Sequence, residues 1–91
     1  MQTQAFKFRN INDPKQEILR YSKSAFEELE MYSPMDSRLG GFLEKTKTGY
    51  FAHLDLDTAK THIAAEQVGQ NPYAALDLVV VEMKKKLQTA S

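Results

Sequence analysis

The chain has 91 residues, of which 42 % are hydrophobic and 26 % charged, a composition that excludes a disordered or membrane-spanning class and a length that allows one thin core. Lys+Arg and Asp+Glu balance at 12 each, which excludes a global field pulling the protein towards nucleic acid or anionic lipid, so any polyanion binding must come from a local patch. Cysteine is absent, which excludes disulfides, thiolate nucleophiles and thiolate metal sites and fits a reducing compartment.

The N-terminus Met1-Gln2-Thr3-Gln4 lacks a basic segment followed by an apolar one, and the longest apolar stretch, Leu78 to Val81, is far too short to cross a bilayer. A cytoplasmic protein with no membrane partner is expected. Ala5-Phe6-Lys7-Phe8-Arg9 alternates apolar and polar residues and predicts a strand with Phe6 and Phe8 facing inward. Asp13-Pro14-Lys15-Gln16 then supplies a capping carboxylate, a proline for the first helical position and a glutamine three residues past the cap. Ile18, Leu19, Ser22, Ala25, Phe26, Leu29 and Tyr32 recur at helical spacing until Ser33-Pro34, predicting a helix to about Tyr32.

Asp36 to Lys45 reads as a second strand interrupted by Gly40-Gly41, and Thr46-Lys47-Thr48-Gly49 turns it into a third from Tyr50 to Asp57. Leu39, Gly41 and Leu43 are expected inward, with Arg38, Phe42 and Glu44 outward. A turn at Thr58-Ala59 leads to a fourth strand from Lys60 to Gln67, in a register that sets Asp57 against Lys60, Leu56 against Thr61, Leu54 against Ile63 and Asp55 against His62. Asn71 caps a second helix beginning at Pro72. Its stripe is Leu76, Val79, Val80, Met83 and Leu87, and Leu78 and Val81 widen the apolar arc beyond what one sheet face covers.

These elements predict one α+β domain over residues 1–91, a two-layer β-α-β-β-β-α sandwich in which a four-stranded sheet carries both helices on one face. The right-handed crossover rule makes the first strand parallel to the second, and the last three strands form an antiparallel meander.

The stretch HIAAEQVGQNPYAALDLVVVEMKKKLQ, from His62 to Gln88, together with this element order, resembles the ribosome hibernation-promoting and ribosome-associated inhibitor proteins, also called sigma-54 modulation proteins. Tyr73, Ala75, Leu76 and Asp77 fall on that family's helix-start positions, and Lys84, Lys85 and Lys86 fall in its basic segment. Glu82 stands where a basic residue is common. The resemblance spans nearly the whole chain, implies a short form without the second, dimerising domain, and implies binding to the small ribosomal subunit and its RNA, inhibiting or storing ribosomes under stress.

Lys84, Lys85 and Lys86 can neutralise phosphates, although basic residues also favour a helix C-terminus for its dipole alone. Lys45 and Lys47 on the hairpin loop, and Arg20 and Lys23 on one side of the first helix, extend the candidate nucleic-acid-binding set; solvated turns and helix faces carry such residues in any case. Lys7, Arg9, Arg38, Phe42 and Phe51 interleave cations and aromatics on the outer sheet face, either to stack unpaired nucleotides or as an ordinary exposed or dimerising surface. His53, Asp55 and His62 on the same face form a weak constellation for a metal or an acid-base pair, and Glu27, Glu28 and Glu30 read as a solvated acidic face. No nucleophile with a base partner, phosphate-cradling glycine loop or paired catalytic carboxylate stands at diagnostic spacing, so neither an enzyme nor a cofactor is expected. The alternative to ribosome binding is a protein-interaction module of the same fold that forms a homodimer, or meets another partner, through Leu78 and Val81 of the second helix.

Overall fold

The computed structural model describes residues 2–12 and 15–89, with side chains from residue 6 onward. Strands and helices follow in the expected order: β1 (Gln2–Arg9), α1 (Gln16–Glu30), β2 (Arg38–Lys45), β3 (Tyr50–Asp57), β4 (His62–Gly69) and α2 (Pro72–Thr89). In space the sheet runs β1-β2-β3-β4, with β1 parallel to β2 and the other neighbours antiparallel.

Alternation places Leu39 and Leu43 of β2, Ala52, Leu54 and Leu56 of β3, and Ile63 and Ala65 of β4 on one buried face. Both helices close over it. Ile18, Phe26 and Leu29 of α1 and Ala75, Leu76, Val79, Val80 and Met83 of α2 complete a single core cluster with these strand residues. Phe6 and Phe8 point the expected way but are half-buried, because β1 is an edge strand; the ring of Phe6 stands edge-on to Phe8 at 5.4 Å and to Phe26 at 5.2 Å.

The start of α2 is built as its sequence predicts. Asn71 Oδ1 accepts from the Ala74 amide at 2.8 Å, satisfying a donor of the first turn, and Pro72 occupies the first helical position. For α1 the expected cap at Asp13-Pro14 lies outside the described residues; the described boundary is Lys15, whose carbonyl accepts from the Ile18 and Leu19 amides at 3.0 and 3.2 Å. The helix ends at Glu30, two residues before the expected Tyr32. There the amides of Met31, Tyr32 and Ser33 shift to carbonyls three residues back, and the Ser33 hydroxyl donates to the Leu29 carbonyl at 2.7 Å, so the last turn tightens before Pro34.

The largest departure is at the β3–β4 turn. The expected register is two residues out: Asp57 pairs with His62, Leu56 with Ile63 and Leu54 with Ala65. The connection runs from Thr58 to Thr61, because the Thr58 hydroxyl oxygen accepts from the amides of Lys60 and Thr61 at 3.2 and 3.0 Å, and the Thr58 amide donates to the Thr61 carbonyl at 2.8 Å. A slip of two residues preserves the side-chain parity, so the expected core face survives while every cross-strand partner changes.

At the end of β4 the chain passes so close to α2 that a Cβ on Gly69 would lie 2.5 Å from the Ala75 nitrogen and 2.9 Å from its Cα. Gly69→Ala is therefore expected to push the first turn of α2 off the sheet and cost about 1–3 kcal/mol, seen as a lowered urea midpoint.

Candidate functional site

The three lysines of α2 meet three different environments. Lys84 turns towards α1, where its ammonium pairs with Glu28 at 2.6 Å and lies 5.3 Å from the centre of the Tyr32 ring. Lys86 turns towards the sheet, pairing with Glu82 one turn back at 2.8 Å and donating to the Ala64 carbonyl at 2.6 Å. Lys85 is exposed and has no side-chain partner among the described residues. Glu82 is itself clamped, accepting from the Gln67 side-chain amide at 2.6 Å, and the hydrogen bond from Lys86, followed by that from Gln67, holds its carboxyl below the ordinary carboxylate range. Glu28, expected in a solvated acidic face, is instead an ion-pair partner.

The other candidate cations do not join this group. Lys45 lines a cleft with Lys15, Tyr50, Pro72 and Tyr73, at the end of the molecule where α2 begins. The stretch of α2 from Pro72 to Lys86 separates it from Lys86 by about 21 Å of helix. Lys47 is exposed in the loop beyond it, which is closed by the Thr46 amide donating to the Gly49 carbonyl at 2.8 Å. Arg20 and Lys23 are both exposed but line different depressions, Arg20 with Glu17, Tyr21, Ser24 and Tyr73, and Lys23 with Phe6, Phe8, Phe26 and Glu27. The seven cations thus form a discontinuous track along the helix layer.

That layer is locked by tyrosines. The Tyr21 hydroxyl on α1 donates to the Asp77 carboxylate on α2, which together with burial pushes its pKa up to about 12, and the Tyr21 and Tyr73 rings meet edge-to-face at 5.1 Å.

The outer sheet face is open and carries a connected cluster. The Arg9 guanidinium lies 3.9 Å from the centre of the Phe42 ring, against which His53 stacks at 5.2 Å and Phe51 leans at 5.8 Å. Both ring nitrogens of His53 face carboxylates, Nδ1 at 3.0 Å from Glu66 and Nε2 at 3.1 Å from Asp55. Asp55 therefore belongs to His53, and His62 pairs with Asp57, which overturns the expected Asp55–His62 pairing. The register explains the exchange, since Asp57 stands directly opposite His62. Among the described residues no group of three or more His, Cys, Asp or Glu side chains is arranged to hold a metal ion.

Hydrogen bonding to Asp57, reinforced by its charge, raises the His62 pKa above the ordinary 6.5. A raised folded-state value means that the pair's stabilisation is complete below the unfolded pKa and lost as pH rises through the folded one. A proton titration should place His62 above 6.5 and lose the elevation in Asp57→Asn; a lowered value would contradict the pairing.

No protein-family model and no curated protein matches the chain. Among solved structures, the N-terminal domain of Thermus thermophilus Protein Y superposes with a TM-score of 0.83 at 18 % identity, covering 100 % of both chains. A ribosomal subunit interface protein from Coxiella burnetii superposes with a TM-score of 0.80 at 12 % identity, covering 99 % of this chain and 97 % of the other. The chain has the fold of these two proteins. The likeness extends over the whole backbone and bears out the expected β-α-β-β-β-α fold. No helix among the described residues is long and apolar enough to cross a membrane.

The sequence did not disclose the ion pairs that restrain Lys84 and Lys86. The second had a signal, the i,i+4 spacing of Glu82 and Lys86. The first had none, because Glu28 and Lys84 are 56 residues apart and meet only when α1 packs on α2.

Proposed function

We propose that the chain is a cytoplasmic, ribosome-associated domain that binds the small ribosomal subunit through ribosomal RNA and keeps ribosomes idle or stored under stress by steric occlusion, without turnover. The observation that carries this reading is the superposition over the full chain on a protein described as a ribosomal subunit interface protein. The binding surface is the helix layer: Lys84, Lys85 and Lys86 at the end of α2, Arg20 and Lys23 on α1, and Lys45 and Lys47 at the hairpin. Of the three α2 lysines, Lys85 has no ion pair among the described residues and can meet a phosphate at once, whereas Lys84 and Lys86 must exchange Glu28 and Glu82 for it.

Co-sedimentation with purified small subunits over a salt series tests partner and mechanism together. Binding should be present at low salt and fall linearly as log affinity against log salt. Protein that stays in the supernatant even at about 50 mM salt decides against the proposal.

A second reading is favoured by Leu78 and Val81, which stand 47 % and 49 % exposed on the outer side of α2. Under it the domain meets a protein partner or a second copy through these side chains. Val81→Lys would then abolish association, and would leave ribosome binding nearly intact if the first reading holds.

A further inference from the structure

We propose that the open face of the sheet is a self-complementary docking surface for a second copy of this chain. The β1 and β2 half of that face carries three cations, Lys7, Arg9 and Arg38, against one carboxylate, Glu44; the β3 and β4 half carries three carboxylates, Asp55, Asp57 and Glu66, beside His53 and His62. Opposite charge is thus divided along the line between β2 and β3. A two-fold axis parallel to the strands, lying between two facing sheets, places the basic half of each copy over the acidic half of the other.

The observed registers make the match specific. Lys7 aligns with Phe42, Phe42 with His53, and His53 with Glu66, while Arg38 aligns with Asp57. The rotation exchanges β1 with β4 and β2 with β3 at constant height, so Lys7 meets Glu66 of the second copy, Arg38 meets its Asp57, and Phe42 meets its His53. Among the described residues neither Lys7 nor Arg38 has an ion-pair partner in its own chain, and Asp55, Asp57 and Glu66 are paired with imidazoles only. Phe42, Phe51 and Val68, the last 59 % exposed, add apolar area, and the same rotation lays Phe51 under Glu44 and Val68 under the Arg9 stem of the second copy.

The same charges disfavour RNA here. The acidic half repels phosphates, and the Phe42 ring that could stack a base is already engaged by Arg9 and His53. Four strands of eight residues offer roughly 500 Å² of planar area per copy, so that a pair covers about 1,000 Å² before side-chain relief, the low end for a specific interface. Association is accordingly weak, concentration-dependent and salt-sensitive.

Sedimentation equilibrium of the full chain at low ionic strength should show a monomer–dimer equilibrium that retreats towards monomer as salt is added. Lys7→Glu with Arg38→Glu, and separately Asp57→Lys with Glu66→Lys, should each weaken self-association at least about tenfold by setting like charges face to face. An equimolar mixture of these two double variants should recover it as a heterodimer, since all four ion pairs between the copies are then opposite in sign. Val81→Lys should leave the equilibrium unchanged, separating this surface from α2. A chain that stays monomeric at every concentration, a dimer indifferent to both charge reversals, a mixture that forms no heterodimer, or a dimer abolished by Val81→Lys would overturn the proposal. None of these readings involves ribosomes, so the outcome stands apart from that of co-sedimentation.

Discussion

Leu54→Ala is expected to destabilise the domain by about 2–5 kcal/mol, towards the upper end of that range. Leu54 is 1 % exposed and lies in the middle of the sheet, aligned with Gly41 on one side and Ala65 on the other. Both neighbours are small. Its Cδ2 lies 2.9 Å from where a Cβ on Gly41 would sit, so the leucine itself covers the glycine. Truncation leaves a row across three strands with no side chain larger than a methyl group, and neither neighbour can relax into the space. A domain of this length has a total stability of about 5–15 kcal/mol, so the variant should unfold at a much lower denaturant concentration or fail to accumulate. Leu76→Ala, at an equally buried position on α2, should fall in the same range. Leu78→Ala, on the exposed side of the same helix, should change stability by less than about 1 kcal/mol. Equal midpoints for wild type and Leu54→Ala would refute the assignment of the core.

Changing Lys84, Lys85 and Lys86 together to glutamine should weaken small-subunit binding and flatten its salt dependence by about one unit of log–log slope for each phosphate no longer neutralised. The ion pairs of α2 sharpen this expectation. Lys85 needs no release, so Lys85→Gln alone should remove a full unit of that slope. Lys86 is held by Glu82, and Glu82→Gln takes away both the carboxylate that competes with phosphate and a negative charge close to the polyanion. That variant should bind more tightly than wild type and with a steeper slope. The fold should tolerate all of these changes, because the ion pairs have at least one partner exposed to solvent and contribute little to stability. Triple-glutamine protein that binds small subunits with unchanged affinity and slope would remove the lysines from the interface.

Much of the architecture was legible because it rests on local rules. The alternation in Tyr50–Asp57 sorts Ala52, Leu54 and Leu56 from Phe51, His53 and Asp55 whatever the strand pairs with, since a strand's side-chain period is two. Asn71-Pro72 marks the start of α2 because a side-chain acceptor and a residue without an amide proton suit the same few positions of any helix. Leu78 and Val81 fall off the stripe of Leu76, Val80 and Met83 by helical geometry alone, and they are exposed.

The candidate site was legible in composition but not in arrangement. Seven cations could be named, yet only the packed chain sets Lys45 and Lys86 at opposite ends of α2, separates Arg20 from Lys23, and joins Lys84 to Glu28. Thr58 shows the reason on the smallest scale. Its hydroxyl holds the amides of Lys60 and Thr61, lengthens the turn by two residues, and so gives His62 to Asp57 and leaves Asp55 to His53. Sequence by itself determined the elements, their order and the face each residue takes, because these follow from periodicity and capping within a few residues. Apart from the i,i+4 pair of Glu82 and Lys86, which charges meet follows from the packed chain, because Glu28 and Lys84, or His53 and Glu66, come within a few ångströms only when separate elements pair, and periodicity carries no information about that distance.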